Sequence, residues 1–235
     1  MSATWVALSV LMYAEAHGSP GPPADLFAHE ALYSNHNVEL IARDFFQDRR
    51  GGFYLDVGCW HPIKDSNTYY LEEHLGWHGI GVDALPELAP KWKRHRRESR
   101  FLNYIVTDHA GTVEPFYRVE LSDISQVEKP ARGPGGDPVR SEEIMVPTIT
   151  LTDLLERNGV TKIDFFSIDI EGHEPAALVG FDIDRFQPAL VCIEAKPKNR
   201  EFIVKYFTDH GYERLERYRK YDEVNYYFTP KRRAP

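Results

Sequence analysis

Short apolar runs alternate along this chain with segments in which apolar residues recur at helical spacing. The apolar runs predict strands over Phe53–Gly58, Gly79–Asp83, Phe101–Val106, Ile163–Asp169 and Ala189–Glu194. The segments with helical spacing predict helices over residues 38–46, 68–75, 87–97, 151–158, 175–180 and 201–210. Because strands and helices alternate, we expect an α/β fold with a mostly parallel sheet that helices cover on both faces.

The ends of the chain and its loops complete this picture. Gly111–Val119 predicts an added hairpin, and Tyr212–Tyr218 with Asn225–Thr229 predicts a final antiparallel pair. A stretch rich in Gly and Pro at residues 129–138 is either a lid over a binding site or an ordinary surface loop. We expect residues 1–28 to form an N-terminal helix and a Pro/Gly linker, and residues 29–235 to form one domain.

The apolar N-terminal segment and the cysteine content bear on location. Residues 5–14 are apolar, but no Lys or Arg precedes them and the run is too short to span a bilayer. We therefore expect a packed or peripheral helix and no integral membrane span. The two cysteines, Cys59 and Cys192, are too few for a disulfide framework and favour a reducing compartment. The expected location is cytoplasmic, with membrane association or export as the alternative.

The formal net charge of −8 limits the choice of partner. It argues against broad nucleic-acid binding, because contacts with phosphates need a positive field. The basic run Lys91–Arg97 is expected to be the solvated face of a helix. We therefore expect a small-molecule or carbohydrate partner rather than a nucleic acid.

Acidic residues stand at or close to the ends of four predicted strands. They are Asp56, Asp83, Asp169 and Glu194. In an open parallel sheet, ligands bind beyond the carboxyl ends of the strands. Charge is costly at the ends of buried strands, so solubility alone explains four such acids poorly. We expect this edge of the sheet to carry the functional site.

The turn after the first predicted strand indicates the kind of ligand. Gly58 lets a ligand approach the backbone closely, and the amides that follow can meet an anionic group. The further glycines of a dinucleotide-binding turn are replaced by Trp60 and Ile63, which argues against NAD. An acid before a single glycine favours a zwitterionic ligand, with Asp56 near its ammonium group.

Two later acids fit an adenosine ligand, and each has an alternative. Asp83 is expected either to take the ribose hydroxyls or to cap a helix. Asp108, after the third predicted strand, either accepts from an adenine amino group or is only a turn residue.

Six motifs follow one another in a fixed order along the chain. They are Tyr33–Asn35, Phe53–Gly58, Ser66–Thr68, Gly76–Asp83, Val146–Leu151 and Ile163–Gly172. Together they resemble the FkbM family of methyltransferases that depend on S-adenosylmethionine (SAM). The resemblance implies a Rossmann-like class I methyltransferase fold, with a mostly parallel seven-stranded sheet, an antiparallel C-terminal strand and helices on both faces. It also implies SAM as the methyl donor and O-methylation of a sugar or natural-product hydroxyl.

The resemblance further implies which residues bind SAM. They are Ser34, Asp56, Gly58, Ser66, Asn67, Asp83, Asp108 and Asp169. Within this set it assigns Asp56 and Gly58 to the SAM loop, Asp83 to the ribose and Asp108 to the adenine side.

Methyl transfer to a neutral hydroxyl needs precise alignment and a group that takes the hydroxyl proton. One interpretation is a Mg²⁺ or Mn²⁺ site formed by Asp169, Glu194 and His173, since oxygen ligands with one imidazole suit these ions. A second is metal-free base catalysis by one of these three residues. A third is structural: Glu171 and Glu174 cap the following helix, and His173 only packs. We expect Asp169 to be the base.

Other interpretations stay open on sequence alone. His61 is either a second candidate base beside the SAM loop or a turn residue. The aromatic residues of the C-terminal part either form the core or offer stacking faces to a sugar ring. A metal-dependent hydrolase and a non-catalytic SAM-binding module are the alternative functions, and an NAD oxidoreductase is disfavoured by the missing glycines.

Overall fold

The structure, a computed structural model, describes residues 24–119, 127 and 140–231. Residues 1–23, most of the predicted N-terminal segment, and the predicted loop at 129–138 lie outside the described residues. Leu26 is buried and the Phe27 ring stacks on Tyr221 with centroids 3.8 Å apart, so these two residues pack against the domain. The boundary at residue 28 stays a prediction. No helix in the described ranges has the length and apolar character that a bilayer crossing requires.

Strands and helices alternate as the sequence predicts. The strands are β1 Phe53–Val57, β2 His78–Asp83, β3 Arg100–Asn103, β4 Ile105–Val106, β5 Val113–Val119, β6 Ser141–Ile149, β7 Phe165–Ile168, β8 Leu190–Glu194, β9 Tyr212–Arg214 and β10 Asn225–Pro230. The α-helices are α1 Val38–Phe46, α2 Tyr69–Leu75, α3 Ala89–His95, α4 Leu151–Arg157, α5 Glu174–Val179, α6 Ile183–Phe186 and α7 Arg200–Asp209. Short 3-10 helices lie at Leu26–Ala28, Pro86–Leu88 and Glu216–Tyr218.

Seven strands form one sheet in the order β3-β2-β1-β7-β8-β10-β9. The pairs from β3 to β8 are parallel, whereas β10 runs antiparallel to both β8 and β9. This confirms the predicted mostly parallel seven-stranded sheet with an antiparallel C-terminal strand. The chain builds outward from β1 to β3 and then returns to β7 on the other side of β1. The switch in strand order, where such sheets bind ligands, therefore lies between β1 and β7.

Side chains alternate between two cores along the central strands. Leu55 and Val57 of β1 pack in the cluster that contains residues of α4, α5 and α7. Tyr54 packs in the cluster that contains residues of α1 and α2, on the other face of the sheet. Helices thus cover both faces, as predicted. The same alternation puts Asp56 on the face of Tyr54, toward α2.

The fold departs from the prediction beside β3. The run predicted as one strand, Phe101–Val106, is divided: β3 pairs with β2, whereas β4 pairs with β6 in a second sheet of order β4-β6-β5. Between them, the Tyr104 amide donates to the Asp83 carbonyl at 3.1 Å, so the chain leaves the large sheet where β2 ends. The predicted hairpin is also corrected, because the partner of β5 is the strand β6, which the sequence analysis did not assign.

The basic run Lys91–Arg97 is only partly a solvated face. Most of its residues are exposed, but Trp92 and Arg96 are buried. The Arg96 guanidinium donates to Glu72 at 3.2 Å and to Thr68 Oγ1 at 2.6 Å, and it lies over the Trp92 ring. The prediction of a solvated face is therefore wrong at these two positions. Arg96 supplies the counter-charge to a buried carboxylate.

We expect Arg96→Met to lower the free energy of unfolding by about 3–5 kcal/mol, because it leaves the Glu72 carboxylate buried without its counter-charge. Arg97→Met changes the neighbouring exposed residue and is the matched control, with an expected effect of about 0.5 kcal/mol or less. Urea unfolding followed by circular dichroism measures both. Equal stability of the two variants would rule out this role for Arg96.

Candidate functional site

An open cavity of about 230 Å³ lies at the switch in strand order. Its lining includes residues at the ends of the three neighbouring strands β1, β2 and β7: Gly58, Asp83 and Asp169. Glu194, at the end of β8, has a carboxylate oxygen within 4.8 Å of one on Asp169. Three of the four acids predicted to share this edge therefore lie at or beside the cavity, and the fourth, Asp56, is buried outside its lining.

Gly58 fits its position because it has no side chain. Its φ of 80° lies in the left-handed region that favours glycine. A Cβ atom at this position would stand 1.7 Å from the carbonyl oxygen of Asp169. The loop after β1 and the segment after β7 are therefore packed backbone to backbone.

Asp83 is held by the backbone of two loops. Its Oδ2 accepts from the Trp60 amide at 2.9 Å, and its Oδ1 accepts from the Leu85 amide at 3.0 Å. Burial is the largest effect on this carboxyl and raises its pKa to about 6, although both hydrogen bonds favour the charged form. Asp83 lines the cavity and does not cap a helix, since Leu85 precedes the short helix that follows.

Asp56 is buried in the interior of the protein and does not line the cavity. Its Oδ2 accepts from Thr68 Oγ1 at 2.7 Å, and Thr68 in turn accepts from Arg96. Burial raises the pKa of Asp56 to about 6, partly offset by these two residues. Ser66 belongs to the same network, because its Oγ accepts from Arg96 at 3.0 Å. The geometry gives no support to direct SAM contacts for Asp56 or Ser66.

Three further residues implied by the resemblance have different surroundings. Asn67 lines the cavity and donates to Ser167 Oγ at 3.0 Å. The hydroxyl of Ser34 accepts from the Glu39 amide at 2.8 Å, and its neighbour Asn35 lines the cavity in its place. Asp108 is half exposed, bonded to His109 Nδ1 at 2.7 Å and outside the lining, which fits its alternative as a turn residue.

Asp169 lines the cavity and is exposed there, although protein surrounds its carboxyl on most other sides. Burial is the largest effect and holds the pKa of its carboxyl well above the usual range, and the charges of Glu194, Glu171 and Glu174 raise it further. The pKa of Glu194 is raised as well, again mainly by burial. A carboxylate with a raised pKa is a stronger base, and the prediction that Asp169 and Glu194 lie together is confirmed.

The fit of a divalent metal depends on which oxygen atoms are free. Carboxylate oxygens of Asp169, Glu174 and Glu194 lie within 4.8 Å of one another. However, Glu174 Oε1 already accepts from two backbone amides, and its Oε2 accepts from Asn199 at 3.2 Å. The Lys196 ammonium is also present, 3.4 Å from Glu194 Oε2. These carboxylate oxygen atoms are therefore not free to bind a divalent ion unless Lys196 moves away.

Neither histidine joins the carboxylates. His173 lines the cavity with its Nε2 3.2 Å from Thr107 Oγ1, and the described residues whose ligand atoms lie within 4.8 Å of one another are Asp169, Glu174 and Glu194. His61 accepts from two backbone amides of the following turn through Nδ1 and does not line the cavity, which supports its role as a turn residue. Glu174 lies in the first turn of α5, where the capping interpretation puts it, but the amides that its Oε1 accepts from, those of Ile170 and Gly172, precede the helix.

Several cavity residues were missed by the sequence analysis. They are His36, Asp65, Leu85, Tyr104, Ile105, Phe116 and Asn225. Backbone conformation marks part of this set: among the described residues, four of the eight non-glycine residues with positive φ line the cavity, namely His36, Trp60, Asp65 and Glu171. Such conformations are costly and are typical of ligand sites. Sequence gives little warning of them.

The C-terminal aromatic residues, by contrast, lie in the core. Tyr218 and Tyr227 pack beneath α1, and Phe207 stacks on Phe228 with centroids 4.3 Å apart. The cavity lining includes none of the described tyrosines after Tyr104. Both cysteines are buried, and burial raises the pKa of each thiol, so neither is set up as a nucleophile.

Comparison with known proteins gives a family match. The family model described as Methyltransferase FkbM domain matches residues 56–214, about two thirds of the chain. A search of curated proteins found no significant match. Among solved structures, a TehB-like SAM-dependent methyltransferase from Corynebacterium glutamicum aligns at 15% identity, covering 96% of each chain, with a TM-score of 0.44. A precorrin-6y C5,15-methyltransferase from Geobacter metallireducens aligns at 10% identity, covering 85% of this chain and 89% of that one, with a TM-score of 0.45.

We expect Gly58→Ala to lower the free energy of unfolding by about 1–3 kcal/mol more than Gly51→Ala, because only the first adds an overlap with a packed backbone. Gly51 is the matched control: its φ is 70°, but a Cβ there meets no heavy atom within 4 Å. Chemical denaturation measures both variants. If the two lose the same stability, the close contact between Gly58 and Asp169 is not a constraint on the fold.

Proposed function

Because the chain belongs to the FkbM family of methyltransferases and is thereby a SAM-dependent methyltransferase, we propose that it transfers the methyl group to a hydroxyl of a sugar or natural-product molecule. The observation that carries the proposal is the carboxylate of Asp169, which lines the cavity, is exposed to it and has a strongly raised pKa. A neutral hydroxyl needs such a base, because it is a poor nucleophile until it loses its proton.

The cavity offers suitable contacts to each part of SAM. At one end Asp83 has a free lone pair on each oxygen for the ribose hydroxyls, since each oxygen accepts only one backbone amide. Leu85, Ile105 and Phe116 line the cavity and are apolar, which suits an adenine ring. Gly58 leaves room for the amino-acid part to approach the backbone after β1. We propose apolar adenine contacts in place of the one implied for Asp108.

Asp169 is proposed to receive the proton of the acceptor hydroxyl. When bound, SAM supplies an electrophilic methyl group on a positively charged sulfur. A new bond joins the acceptor oxygen to the methyl carbon, the bond from that carbon to sulfur breaks, and the hydroxyl proton passes to Asp169. The products are a methyl ether and S-adenosylhomocysteine. An in-line arrangement of the acceptor oxygen, the methyl carbon and the sulfur would supply much of the acceleration, and we propose that the walls of the cavity provide it.

Asn225 and the segment at Asn35 and His36 form the proposed acceptor wall. Asn225 lies opposite Glu194 in the register of β8 and β10 and lines the cavity. In the strand order β10, which carries Asn225, lies on the far side of β7 from β2, after which Leu85 follows, and we propose that a hydroxylated acceptor approaches on this side. The hydrolase alternative loses its support, because the family is one of methyltransferases and the carboxylates do not fit a metal ion.

We expect Asp169→Asn to abolish turnover, because the amide cannot take the hydroxyl proton, while the affinity for SAM falls by less than about tenfold. Release of S-adenosylhomocysteine is measured against a panel of sugars and natural-product alcohols, and SAM affinity is measured by calorimetry. Full turnover in the variant would refute the role of Asp169. SAM binding by the unchanged protein without turnover on any acceptor would favour the non-catalytic alternative.

The affinity for SAM should fall as the pH drops below about 6, by about tenfold per pH unit, because protonated Asp83 can no longer accept from both ribose hydroxyls. Asp83 is mostly ionised between roughly pH 6.5 and 8, so the affinity for SAM should be constant in this range. The control is Asp83→Asn, which should bind more weakly at pH 8 and lose the dependence. If Asp83→Asn keeps the same dependence, another group is responsible.

A further inference from the structure

Four carboxylates come together beside the cavity, and this concentration of charge needs compensation. Asp169, Glu171 and Glu174 belong to the segment after β7, and Glu194 ends β8. Their mutual repulsion contributes to the raised pKa of Asp169. Like charges held this close are unfavourable unless a cation or hydrogen-bond donors lie among them.

Glu174 is compensated by neutral donors. The amides of Ile170 and Gly172 donate to its Oε1 at 3.1 and 3.0 Å, and Asn199 donates to its Oε2. Glu174 is fully buried, so these bonds take the place of water. This arrangement fixes the segment after β7 but leaves the charges of Glu171 and Glu194 to be balanced.

Lys196 balances both of them. Its ammonium group is paired with Glu171 Oε2 and lies 3.4 Å from Glu194 Oε2. The side chain is about one-third exposed, and the pKa of Lys196 is raised by its two partners although burial opposes this. Lys196 therefore bridges the segment after β7 and the end of β8.

The surrounding backbone is shaped to bring Lys196 to this place. The Asn199 amide donates to the Lys196 carbonyl at 2.8 Å, and the Asn199 side chain donates to the Gly172 carbonyl at 2.9 Å. Gly172 has a φ of 99°, and a Cβ there would stand 3.7 Å from Lys196 Cδ and 3.1 Å from Lys198 Cε. The turn at Gly172 thus leaves space for the two lysine side chains that follow β8.

We propose that Lys196 is the resident cation of this group of carboxylates, in the position that a divalent metal would otherwise take. It is a positioning residue: its charge balances Glu171 and Glu194, so that these two carboxylates stay in place beside Asp169, which lines the cavity. The inference deepens the proposed O-methyl transfer, but it concerns the charges of the site and can be tested without a methyl acceptor. It implies that removing the ammonium group creates a metal site.

The test is Mn²⁺ binding to the purified full chain, followed by electron paramagnetic resonance. The unchanged protein should show no specific Mn²⁺ binding, whereas Lys196→Met should bind Mn²⁺ at least about tenfold more tightly, because carboxylate charge sets the affinity for such ions. Lys196→Arg keeps the positive charge and should behave like the unchanged protein. Lys198→Met removes a neighbouring exposed lysine and is the matched control, with no expected gain.

Location of the new site is checked with Lys196→Met combined with Glu194→Gln, which should lose the added binding. Thermal melting establishes whether each variant is folded. If Lys196→Met is not folded, Lys196→Gln takes its place in the experiment. The proposal is overturned if the unchanged protein already binds Mn²⁺ through Glu194, or if folded Lys196 variants without the charge gain no binding. None of these readouts uses methyl transfer, so failure of the proposed function would be seen separately.

Discussion

The close packing of Gly58 against the carbonyl of Asp169 is the constraint on which the rest of the site depends. The end of β1 is hydrogen-bonded to both neighbouring strands. The Gly58 amide donates to the carbonyl of Val82 in β2, and the Asp169 amide, just after β7, donates to the carbonyl of Val57 in β1. The space that a side chain would fill is occupied by the backbone of the neighbouring segment. This contact keeps the ends of β1 and β7 together at the cavity, which Asp83 at the end of β2 also lines, and the proposed donor and acceptor can meet there.

The groups that pair with each acidic side chain distinguish the acids that stabilise the fold from the acids that are available for chemistry. Asp56 and Glu72 are tied to the buried Arg96, directly or through Thr68, and they stay inside the protein. Asp83 is held by two backbone amides, which leaves part of each oxygen free for a ligand. Asp169 faces the cavity among other carboxylates and keeps a high pKa, as a base requires. Position at a strand end alone does not distinguish these roles.

Local periodicity predicted the central strands, the alternation with helices and the acids at the sheet edge. The sequence also indicates why Asp56 does not line the cavity. Side chains alternate along β1, so Asp56 lies on the same face of the sheet as Tyr54, toward α2. The burial of Arg96 and the pairing of Asn225 with Glu194 depend on contacts between distant segments, so no local pattern reveals them. The same holds for Lys196, whose position depends on two loops that meet only in the folded chain.

The most direct test of this account is a crystal structure of the chain bound to S-adenosylhomocysteine. We predict that the ribose hydroxyls lie within hydrogen-bonding distance of Asp83, that the amino-acid part follows the backbone at Gly58, and that the sulfur points toward Asp169. A ligand bound elsewhere, or one oriented with its sulfur away from Asp169, would contradict the proposal that this cavity brings a methyl donor and a hydroxyl together.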